Sequence, residues 1–383
     1  MSKLLIVTTV PETLATILKS QPKYLSQFYK VEIATSRGET FEAVAQNEGV
    51  QVHAVSMERG ISPLRDLLSL FNFIKMLQVV RPDIVHSYTP KAGLISMLGA
   101  WIARVPVRVH TFTGLIFPTS HGFRRFLLLT IDKFICACAT HVVPEGNGVR
   151  TELIRHGVCA RPSEVIGSGN IAGIDTAHYD PSLLECRDAA AALREEMGIG
   201  KDEFVFCYVG RLNRDKGLEE LIEAFSSLQG AHLLIAGSLD LSAPVSERLM
   251  DAIASHPRVH HLGFVEDVRA VVLASAVLVL PSYREGFPNV LLQACALEVP
   301  AIATDIIGSN EIITARSNGW VVPARDSASL HKAMNEAMQL GHAELNDMGR
   351  VGRSLVIKKF ERRNHWERMR RFYDGLLIKR VHE

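Results

Sequence analysis

The chain has 383 residues, of which 47% are hydrophobic and 22% charged, a composition typical of a globular protein with room for two α/β domains. Its six cysteines show no pairing or metal-ligand spacing, which favours reduced thiols and a cytoplasmic protein. We expect no signal peptide and no membrane span, because Lys3 leads directly into a strand and the longest apolar runs fall short of the ~20 residues that a bilayer requires.

The net charge of +1 is unevenly distributed along the chain. Residues 1–165 hold 18 Lys and Arg against 12 Asp and Glu, residues 166–355 hold 15 against 25, and residues 356–383 hold 9 against 4. Such asymmetry indicates that one end of the molecule faces an anionic surface. We expect no nucleic-acid partner, because the basic segments lack aromatic stacking platforms and a recognisable binding module.

Strand-like and helix-like segments alternate from the N-terminus. Segments with helical periodicity include Pro63–Val80 and Pro90–Arg104. Apolar runs predict six strands between such segments, namely Leu4–Thr8, Val31–Thr35, Val50–Val55, Ile84–Ser87, Val107–Thr111 and His141–Val143. Residues 1–168 are therefore predicted to form one doubly wound domain.

The same alternation begins again after a polar stretch that contains three glycines. Six further strands are predicted at Phe204–Val209, His232–Ala236, Val259–Leu262, Ala276–Leu280, Ala301–Thr304 and Trp320–Val322. Alternation of this kind is typical of right-handed βαβ units and parallel sheets. The expected fold is thus α/β, with two Rossmann-like domains that face each other across a cleft. Residues 175–358 would form the second domain, and a basic C-terminal helix, 359–383, would join the first.

The loop after Ala276–Leu280 is the most informative part of the chain. It carries Glu285 and leads into a helix that Pro288 is expected to open. Glu285 would then lie at the carboxyl end of a strand, where ligands bind in open α/β sheets. The adjacent helix N-terminus favours anions. A phosphate-bearing ligand is therefore the first candidate.

A second strand end carries two cations. Gly210 closes the strand Phe204–Val209, and Arg211 and Lys216 follow it. Fixed cations beside helix N-termini suit a diphosphate that gains negative charge as it leaves. The alternative is an ordinary solvated loop, and the matching position of Glu285 at another strand end weakens that alternative.

Signatures of metal and cofactor chemistry are missing from the sequence. It contains no Asp-x-Asp pair, no Cys/His cluster with ligand spacing and no P-loop. Residues 8–13 do not form a Gly-x-Gly-x-x-Gly turn, so a nicotinamide site lacks its usual signature. We expect neither a metal nor a cofactor, and we expect protein cations to stabilise the leaving group.

Several motifs taken together resemble the family 4 retaining glycosyltransferases, which have the GT-B fold. In the second half they are Gly210-Arg-Leu-x-x-Asp-Lys-Gly217, Glu285-Gly-Phe-Pro288 and Gly308-Ser-Asn-Glu311. In the first half the runs 8–13, 86–93 and 110–114 resemble in particular bacterial enzymes that extend lipid-linked capsule, exopolysaccharide or O-antigen oligosaccharides. The resemblance spans nearly the whole chain.

The resemblance implies metal-independent transfer of a hexose or N-acetylhexosamine, with retention of configuration, from a UDP-sugar to a lipid-linked saccharide. It implies that Arg211 and Lys216 hold the donor diphosphate, that Glu285 binds donor hydroxyls, and that His110 touches the reacting centre. The implied donor-site residues also include Gly210, Gly286, Phe287, Pro288, Asn289, Gln293 and Glu311. The implied acceptor-site residues are Thr9, Pro11, His86, Lys91, Thr113 and Glu145.

The chain departs from the family pattern at two places. Gln293 stands where the family usually has a second Glu that grips the ribose hydroxyls. Because an amide hydrogen-bonds a diol without the charge that strengthens such bonds, we expect weaker nucleotide binding. The run Thr8-Thr9-Val10-Pro11 replaces the paired glycines of many relatives on the acceptor side.

Other interpretations stay open at this point. The donor could be GDP-mannose, or the chain could be a non-hydrolysing nucleotide-sugar epimerase or a catalytically silent nucleotide-sugar-binding protein. His86 and Lys91 could simply tie a strand to its following helix, and His110 could be a structural histidine at a strand end.

The segment His121–Ala139 predicts a helix with a surface role. It combines Phe123 and Phe126 with Arg124 and Arg125. Basic residues beside exposed apolar ones suit an anionic leaflet, so we expect peripheral association with the inner face of the plasma membrane. The alternative is that residues 126–129 belong to an ordinary core.

Overall fold

The structure is a computed structural model that describes residues 1–57, 62–159, 164–241 and 243–381. The chain divides into two compact units. Unit 1 comprises Met1–Gly173 and Arg362–Glu383, and unit 2 comprises Ile174–Glu361. Among the described residues, no helix combines the length and the apolar character that crossing a bilayer requires.

Unit 1 is built on a six-stranded sheet with strand order β3-β2-β1-β4-β5-β6, in which every described pair of neighbours is parallel. Its strands are β1 Lys3–Val7, β2 Lys30–Thr35, β3 Gln51–Ala54, β4 Ile84–Tyr88, β5 Val107–Phe112 and β6 His141–Pro144. Apolar runs form most of these strands because they are buried on both faces, whereas the edge strand β3 is partly exposed.

The helices of unit 1 follow the strands in turn. They are α1 Glu12–Thr16, α2 Gln21–Leu25, α3 Phe41–Glu48, α4 Pro63–Val80, α5 Pro90–Ile102, α6 Gly122–Cys138 and α7 Asn147–Arg155. A short 3-10 turn, Phe117–Thr119, precedes α6. Helices α4 and α6 both pack against α5, so the three lie side by side.

Unit 2 repeats this plan with the strand order β12-β11-β10-β7-β8-β9, again with parallel neighbours throughout its described pairs. Its strands are β7 Phe204–Val209, β8 Ala231–Ala236, β9 Val259–Gly263, β10 Val277–Leu280, β11 Ala301–Thr304 and β12 Gly319–Val322. The two sheets confirm the predicted doubly wound α/β class.

The helices of unit 2 are α8 Leu184–Glu196, α9 Leu218–Ser226, α10 Glu247–Ser255, α11 Arg269–Leu273, α12 Asn289–Ala296, α13 Ser309–Ile312, α14 Ser327–Gln339 and α15 His342–Lys359. A 3-10 turn, Arg214–Lys216, precedes α9. Helix α12 begins one residue later than expected from the sequence. Pro288 is its N-cap with extended backbone dihedrals (φ −73°, ψ 104°) rather than its first residue.

The last helix, α16 Arg362–Val381, belongs to unit 1 although it follows unit 2 in the chain. Met369, Tyr373 and Leu376 are buried in the core of unit 1. The Tyr373 hydroxyl lies 2.6 Å from Nδ1 of His86 on β4. A segment distant in sequence therefore completes the first hydrophobic core.

Candidate active site

Lys216 and Glu285, two of the residues predicted to bind the donor, lie in unit 2 where the strand order of its sheet reverses. Strands β7 and β10 are hydrogen-bonded neighbours, and the chain leaves them in opposite directions, toward β8 on one side and β11 on the other. This switch point is where ligands bind in open α/β sheets, because the loops at the carboxyl ends of the two strands separate there. Lys216 follows β7 and Glu285 follows β10, so the fold brings them together.

Lys216 and Glu285 form an ion pair across the switch point. Nζ of Lys216 lies 2.5 Å from Oε1 of Glu285, and the exposed fractions of the two side chains are 18% and 14%. The Ser282 hydroxyl donates a hydrogen bond of 2.8 Å to the same carboxylate oxygen. A partly buried cation and carboxylate thus share one small region, where water weakens their attraction less than at an open surface.

Two further contacts fasten the β7 loop to the β10 loop. The backbone N–H of Tyr283 donates to the carbonyl of Asp215 over 2.7 Å, and the Arg284 guanidinium lies 2.6 Å from the Asp215 carboxylate. These bonds hold the turn that carries Lys216 against the loop that carries Glu285. The positions of Lys216 and Glu285 are therefore fixed by these contacts between the two loops as well as by the ion pair itself.

Glycines allow the loops at this edge to approach each other closely. Gly217 has φ +64°, and a Cβ there would lie 2.1 Å from the carbonyl oxygen of Pro281. Gly308 has φ +83°, and a Cβ there would lie 2.2 Å from the carbonyl oxygen of Gly286. Any other residue at these positions would force the loops apart. The glycines of the sequence motifs therefore shape the site.

Arg211 lies at the same edge but points to a different partner. Its Nη1 is 2.6 Å from Oδ2 of Asp240, which follows β8, and its side chain is 60% exposed. The Tyr208 hydroxyl donates a hydrogen bond of 2.8 Å to the backbone carbonyl of Arg211. The side-chain amide of Asn213 donates a hydrogen bond of 3.3 Å to the Asp240 carboxylate. The predicted pair of cations is thus present, with each cation matched to a carboxylate.

The remaining donor-site candidates lie around this edge in different environments. Phe287 is 5% exposed with its ring against Phe360, so only its backbone can meet a ligand. Gln293 lies on α12, and its Nε2 donates a hydrogen bond of 2.8 Å to the hydroxyl of Tyr179. Gly210 and Gly286 lie in the two loops, Asn289 is the first residue of α12, and Glu311 lies in α13.

In unit 1, His110 on β5 is almost fully enclosed. Its ring is 1% exposed and hydrogen-bonds through Nδ1 with Ser87 over 2.9 Å. Gly93 on α5 makes room for the ring, since a Cβ there would lie 2.3 Å from Cε1 of His110. Burial lowers the pKa of His110 to about 3, because the charged form loses its hydration. His110 is therefore a neutral imidazole at physiological pH.

His86 occupies the opposite face of the same sheet. Its ring has no exposed surface, stacks on Tyr88 and hydrogen-bonds with Tyr373 at 2.6 Å and Thr111 at 2.7 Å. Such a ring offers nothing to an acceptor, which corrects the expectation of an acceptor contact at His86. The structural alternative is the better description, although the helix that His86 ties to the sheet is α16 rather than the following helix.

Unit 1 contains a cavity of about 590 Å³ between the carboxyl edge of its sheet and the helices α4, α5 and α6, which we call the helix cavity. Thr9 and Lys91, two of the residues predicted for the acceptor site, are among its lining residues. Thr9 hydrogen-bonds with Thr89 through their hydroxyls at 2.6 Å, and Nζ of Lys91 lies 2.6 Å from both carboxylate oxygens of Asp66.

The other acceptor-site candidates lie outside the lining of the helix cavity. Pro11 is the buried N-cap residue of α1, and Thr113 directly follows β5. Glu145 is 6% exposed after β6, where its backbone bonds to Phe112 and Asn170. The structure therefore brings two of the six acceptor candidates to the cavity.

Several side chains that complete these sites were not identified from the sequence. Asp240 follows β8 as Glu285 follows β10, so the same argument from strand ends could have found it. Ser282 stands three residues before Glu285 in a motif already singled out. Asp66 and Asp132 lie on α4 and α6, and nothing in the sequence connects these helices with a site. Within the described ranges, no group of three or more His, Cys, Asp or Glu residues is arranged to hold a metal ion.

Family models match both units. The model of the glycosyl transferase 4-like domain matches residues 23–169, and the model of glycosyl transferases group 1 matches residues 190–354. The capsular polysaccharide biosynthesis glycosyltransferase CapM of Staphylococcus aureus is 29% identical over 378 residues, which cover 95% of this chain and 96% of that protein. A second relative from Escherichia coli, named UDP-Gal:alpha-D-GlcNAc-diphosphoundecaprenol alpha-1,3-galactosyltransferase, is 25% identical over 84% of this chain and 82% of its own length.

A solved structure shows the same fold. Anabaena HepE, determined in complex with UDP and glucose, aligns with a TM-score of 0.81 and 18% identity over 98% of this chain and 100% of its own. At that identity the likeness shows the fold alone. The two family models and the full-length relatives agree with the motifs at both sheet edges. The chain belongs to the family 4 glycosyltransferases and is a transferase with the GT-B fold.

Proposed function

We propose that the chain transfers a hexose or N-acetylhexosamine, with retention of configuration, from a UDP-sugar to a lipid-linked saccharide in the synthesis of a bacterial surface polysaccharide. The observation that carries this proposal is the Lys216–Glu285 pair, 2.5 Å apart at the switch point of unit 2. A nucleotide sugar offers a diphosphate to the cation and hydroxyls to the carboxylate. The names of the two relatives, a capsule enzyme and an enzyme for a diphosphoundecaprenol-linked sugar, support the acceptor class.

In the proposed reaction the leaving diphosphate is stabilised by protein cations and no metal is required. Negative charge grows on the diphosphate as the bond from the sugar C1 to the phosphate oxygen breaks. An ammonium has three donors, so Lys216 can keep its bond to Glu285 and still reach a phosphate oxygen. Arg211, being largely exposed, can turn from Asp240 toward the second phosphate. Fixed donors of this kind lower the barrier because they are already oriented before charge develops.

The proton and the new bond follow a front-face route in this proposal. The acceptor hydroxyl attacks C1 on the face that the diphosphate leaves, and the departing phosphate oxygen takes the hydroxyl proton. Configuration at C1 is therefore retained without a covalent intermediate. His110 is neutral, because burial lowers its pKa to about 3. With a ring that is 1% exposed and a low pKa, His110 neither takes the acceptor proton nor supplies charge in this scheme.

Replacing Lys216 by alanine tests the leaving-group role. We expect Lys216→Ala to lower kcat by roughly 10²–10³-fold, the usual effect of removing one preorganised donor. Arg214→Ala is the matched control, since Arg214 is a cation in the same turn whose Nε bonds to the carbonyl of Pro244. Turnover should be measured with a panel of UDP- and GDP-sugars and a prenyl-diphosphate-linked saccharide, with and without EDTA. Full activity of Lys216→Ala would contradict the mechanism. Loss of wild-type activity in the presence of EDTA would also contradict it.

The same assay separates the proposed transferase from the two alternative functions. An epimerase would convert UDP-N-acetylglucosamine to an isomer with no acceptor present. A catalytically silent protein would be stabilised against thermal unfolding by a nucleotide sugar, but it would transfer the sugar to no acceptor. The hydrogen bond from Gln293 to Tyr179 is relevant to the silent form, because it occupies one end of the amide that stands in place of the usual second Glu.

We also propose that the enzyme acts at an anionic membrane surface as a peripheral, cytoplasmic protein. Phe123 and Phe126 on α6 are 78% and 66% exposed, so they are not core residues. They stand beside Arg124 and Arg125 on the same helix. A lipid-linked acceptor is found only at a membrane, and exposed aromatic and basic residues suit such a surface.

A further inference from the structure

The helix cavity differs in character from a saccharide site. Sugars are bound by many polar groups, whereas most of this lining is hydrocarbon. The volume of about 590 Å³ falls within the usual range for a ligand site. Its apolar wall includes Leu94, Phe112, Ile116, Leu127, Leu128 and Ile131.

Three of the four ionisable residues of the lining lie at one end of the three helices. Asp66, Lys91 and Arg124 lie in the first turns of α4, α5 and α6, next to the carboxyl edge of the sheet. The Asp66 carboxylate neutralises Lys91 at 2.6 Å. Arg124 makes no ion pair with another described residue, so the lining has an uncompensated positive charge at this end. The second and third turns of α6 contribute Leu127, Leu128 and Ile131, and these turns lie farther from that edge.

One titratable group lies among the apolar side chains. Asp132, in the third turn of α6, is 8% exposed and lines the cavity without a hydrogen bond or ion pair to any other described residue. Burial raises the pKa of Asp132 to about 7, so the carboxyl is largely uncharged in mildly acidic solution. An uncharged carboxyl tolerates hydrocarbon contact far better than a carboxylate does.

The helices that form the cavity also present apolar side chains to solvent. Leu64 and Leu67 on the first turns of α4 are 82% and 64% exposed, and Phe123 and Phe126 on α6 are 78% and 66% exposed. Asp66 and Arg124, which line the cavity, lie next to Leu67 and Phe123 in the sequence. Exposed apolar clusters beside a cavity are typical of sites that receive an apolar ligand from a membrane.

We propose that the helix cavity binds the first isoprenoid units of a polyprenyl diphosphate, with Arg124 on its diphosphate. Such a ligand is an anion attached to a hydrocarbon chain, and the lining has a cation at one end and an apolar wall beyond it. The inference rests on the proposed function for its biological acceptor. It adds that the lipid, as well as the saccharide, is recognised by this chain.

Binding of farnesyl diphosphate to the whole protein tests the inference without any transfer reaction. Calorimetric titrations are made with saturating UDP, which occupies a diphosphate site in unit 2 if one is present. We expect binding to persist under UDP and to tighten at least tenfold from isopentenyl to farnesyl diphosphate, as more hydrocarbon is buried. Displacement by UDP, or equal affinity for both prenyl diphosphates, would overturn the inference.

Two matched pairs of variants locate the site. Arg124→Ala should weaken farnesyl diphosphate binding roughly tenfold or more, while Arg125→Ala, one residue along α6 and outside the lining, should leave it unchanged. Leu128→Trp should fill the cavity and abolish binding, while Leu129→Trp, also outside the lining, should not. Thermal unfolding of each variant checks the fold. If Leu128→Trp does not fold, Arg124→Ala and the chain-length series still decide the matter.

Transfer assays separate failure of this inference from failure of the proposed function. Acceptors that carry the same saccharide diphosphate on farnesyl, octyl or no lipid are compared. A KM that falls with isoprenoid length, at constant kcat, supports the inference. Equal KM values with and without lipid, together with no farnesyl diphosphate binding, overturn it and leave the transferase intact. Farnesyl diphosphate binding without transfer to any acceptor supports the cavity and contradicts the proposed function.

Discussion

Asp132 has an ionisation that burial alone controls. The group titrates near 3.8 when fully hydrated, and loss of water raises the pKa of the folded-state carboxyl to about 7. Between these values the unfolded chain has lost its proton while the folded chain keeps it. The unfolded state then binds fewer protons, so the stability of the protein falls as the pH rises from about 4 to about 7. Above about pH 7 the loss of stability caused by ionisation of the buried Asp132 carboxyl no longer changes with pH.

Replacing Asp132 by asparagine should remove this pH dependence. Between pH 5 and pH 8 the free energy of unfolding of wild type should fall by about 2–3 kcal/mol. The Asp132→Asn variant should not show this decrease. The melting temperature of the variant minus that of wild type should therefore increase over this range by several degrees. Glu42→Gln, at an exposed position of α3, is the control and should show no such trend. A constant difference for Asp132→Asn would show that Asp132 titrates normally.

The positions of single residues in the fold were predictable to different degrees. Arg211, Lys216 and Glu285 were expected at the edge of a parallel sheet because strand ends can be read from apolar runs, and the structure brings Lys216 and Glu285 into contact. The face on which a strand-end side chain lies was not predictable. His86 and His110 both occur near strand ends, yet only His86 faces α16. Tyr373, which contacts His86, lies 287 residues farther along the chain. No local sequence pattern around His86 therefore indicates this contact.

At the scale of elements, Gly217 determines how closely the β7 and β10 loops approach. Gly217→Ala should therefore be more harmful than an ordinary glycine substitution. Its left-handed backbone, with φ +64°, costs about 1–2 kcal/mol for alanine, and the clash with Pro281 would in addition separate Lys216 from Glu285. We expect UDP affinity to fall tenfold or more, as measured by calorimetry.

A matched control for this prediction lies in the same unit. Gly230 has φ +73°, and a Cβ at this position would meet no atom within 4 Å, so Gly230→Ala has the backbone cost without the clash. It should lower the melting temperature slightly and leave UDP affinity unchanged. Equal UDP affinity in the two variants would show that close contact of the two loops is unimportant for donor binding.

The elements themselves were mostly predictable, whereas the space between them was not. Parallel strands appear as short apolar runs and α4 as a long periodic segment, and both occur where the sequence predicts them. Helix α13 has four residues, too few for a periodic signal. The helix cavity depends on how α4, α5 and α6 pack together, and their packing angles have no counterpart in any local pattern of residues.

At the scale of the whole molecule, charge divides between the two units. Unit 1 holds 25 Lys and Arg against 15 Asp and Glu, a net +10, while unit 2 holds 17 against 26, a net −9. Each basic residue near an anionic leaflet contributes about 1 kcal/mol to binding. Unit 1, which also carries the exposed apolar residues of α4 and α6, is therefore the part expected to meet a membrane.

Flotation with vesicles tests this expectation. Wild type should float with phosphatidylglycerol-containing vesicles at low salt and dissociate as salt is raised. The double variant Phe123→Asp/Phe126→Asp should lose flotation. Phe264→Asp is the matched control, because Phe264 is 76% exposed but belongs to unit 2. Salt-independent flotation, or equal loss in both variants, would contradict a docking role for α6.

The position of α16 has a consequence for biosynthesis. Unit 2 is one continuous stretch of chain, whereas unit 1 needs Met369, Tyr373 and Leu376 from the segment after unit 2. Domains usually mature in order as they leave the ribosome. Here the order is reversed, since the first-synthesised half must wait with an uncovered apolar sheet face while the second half is translated. During that interval the nascent chain is a natural client for chaperones.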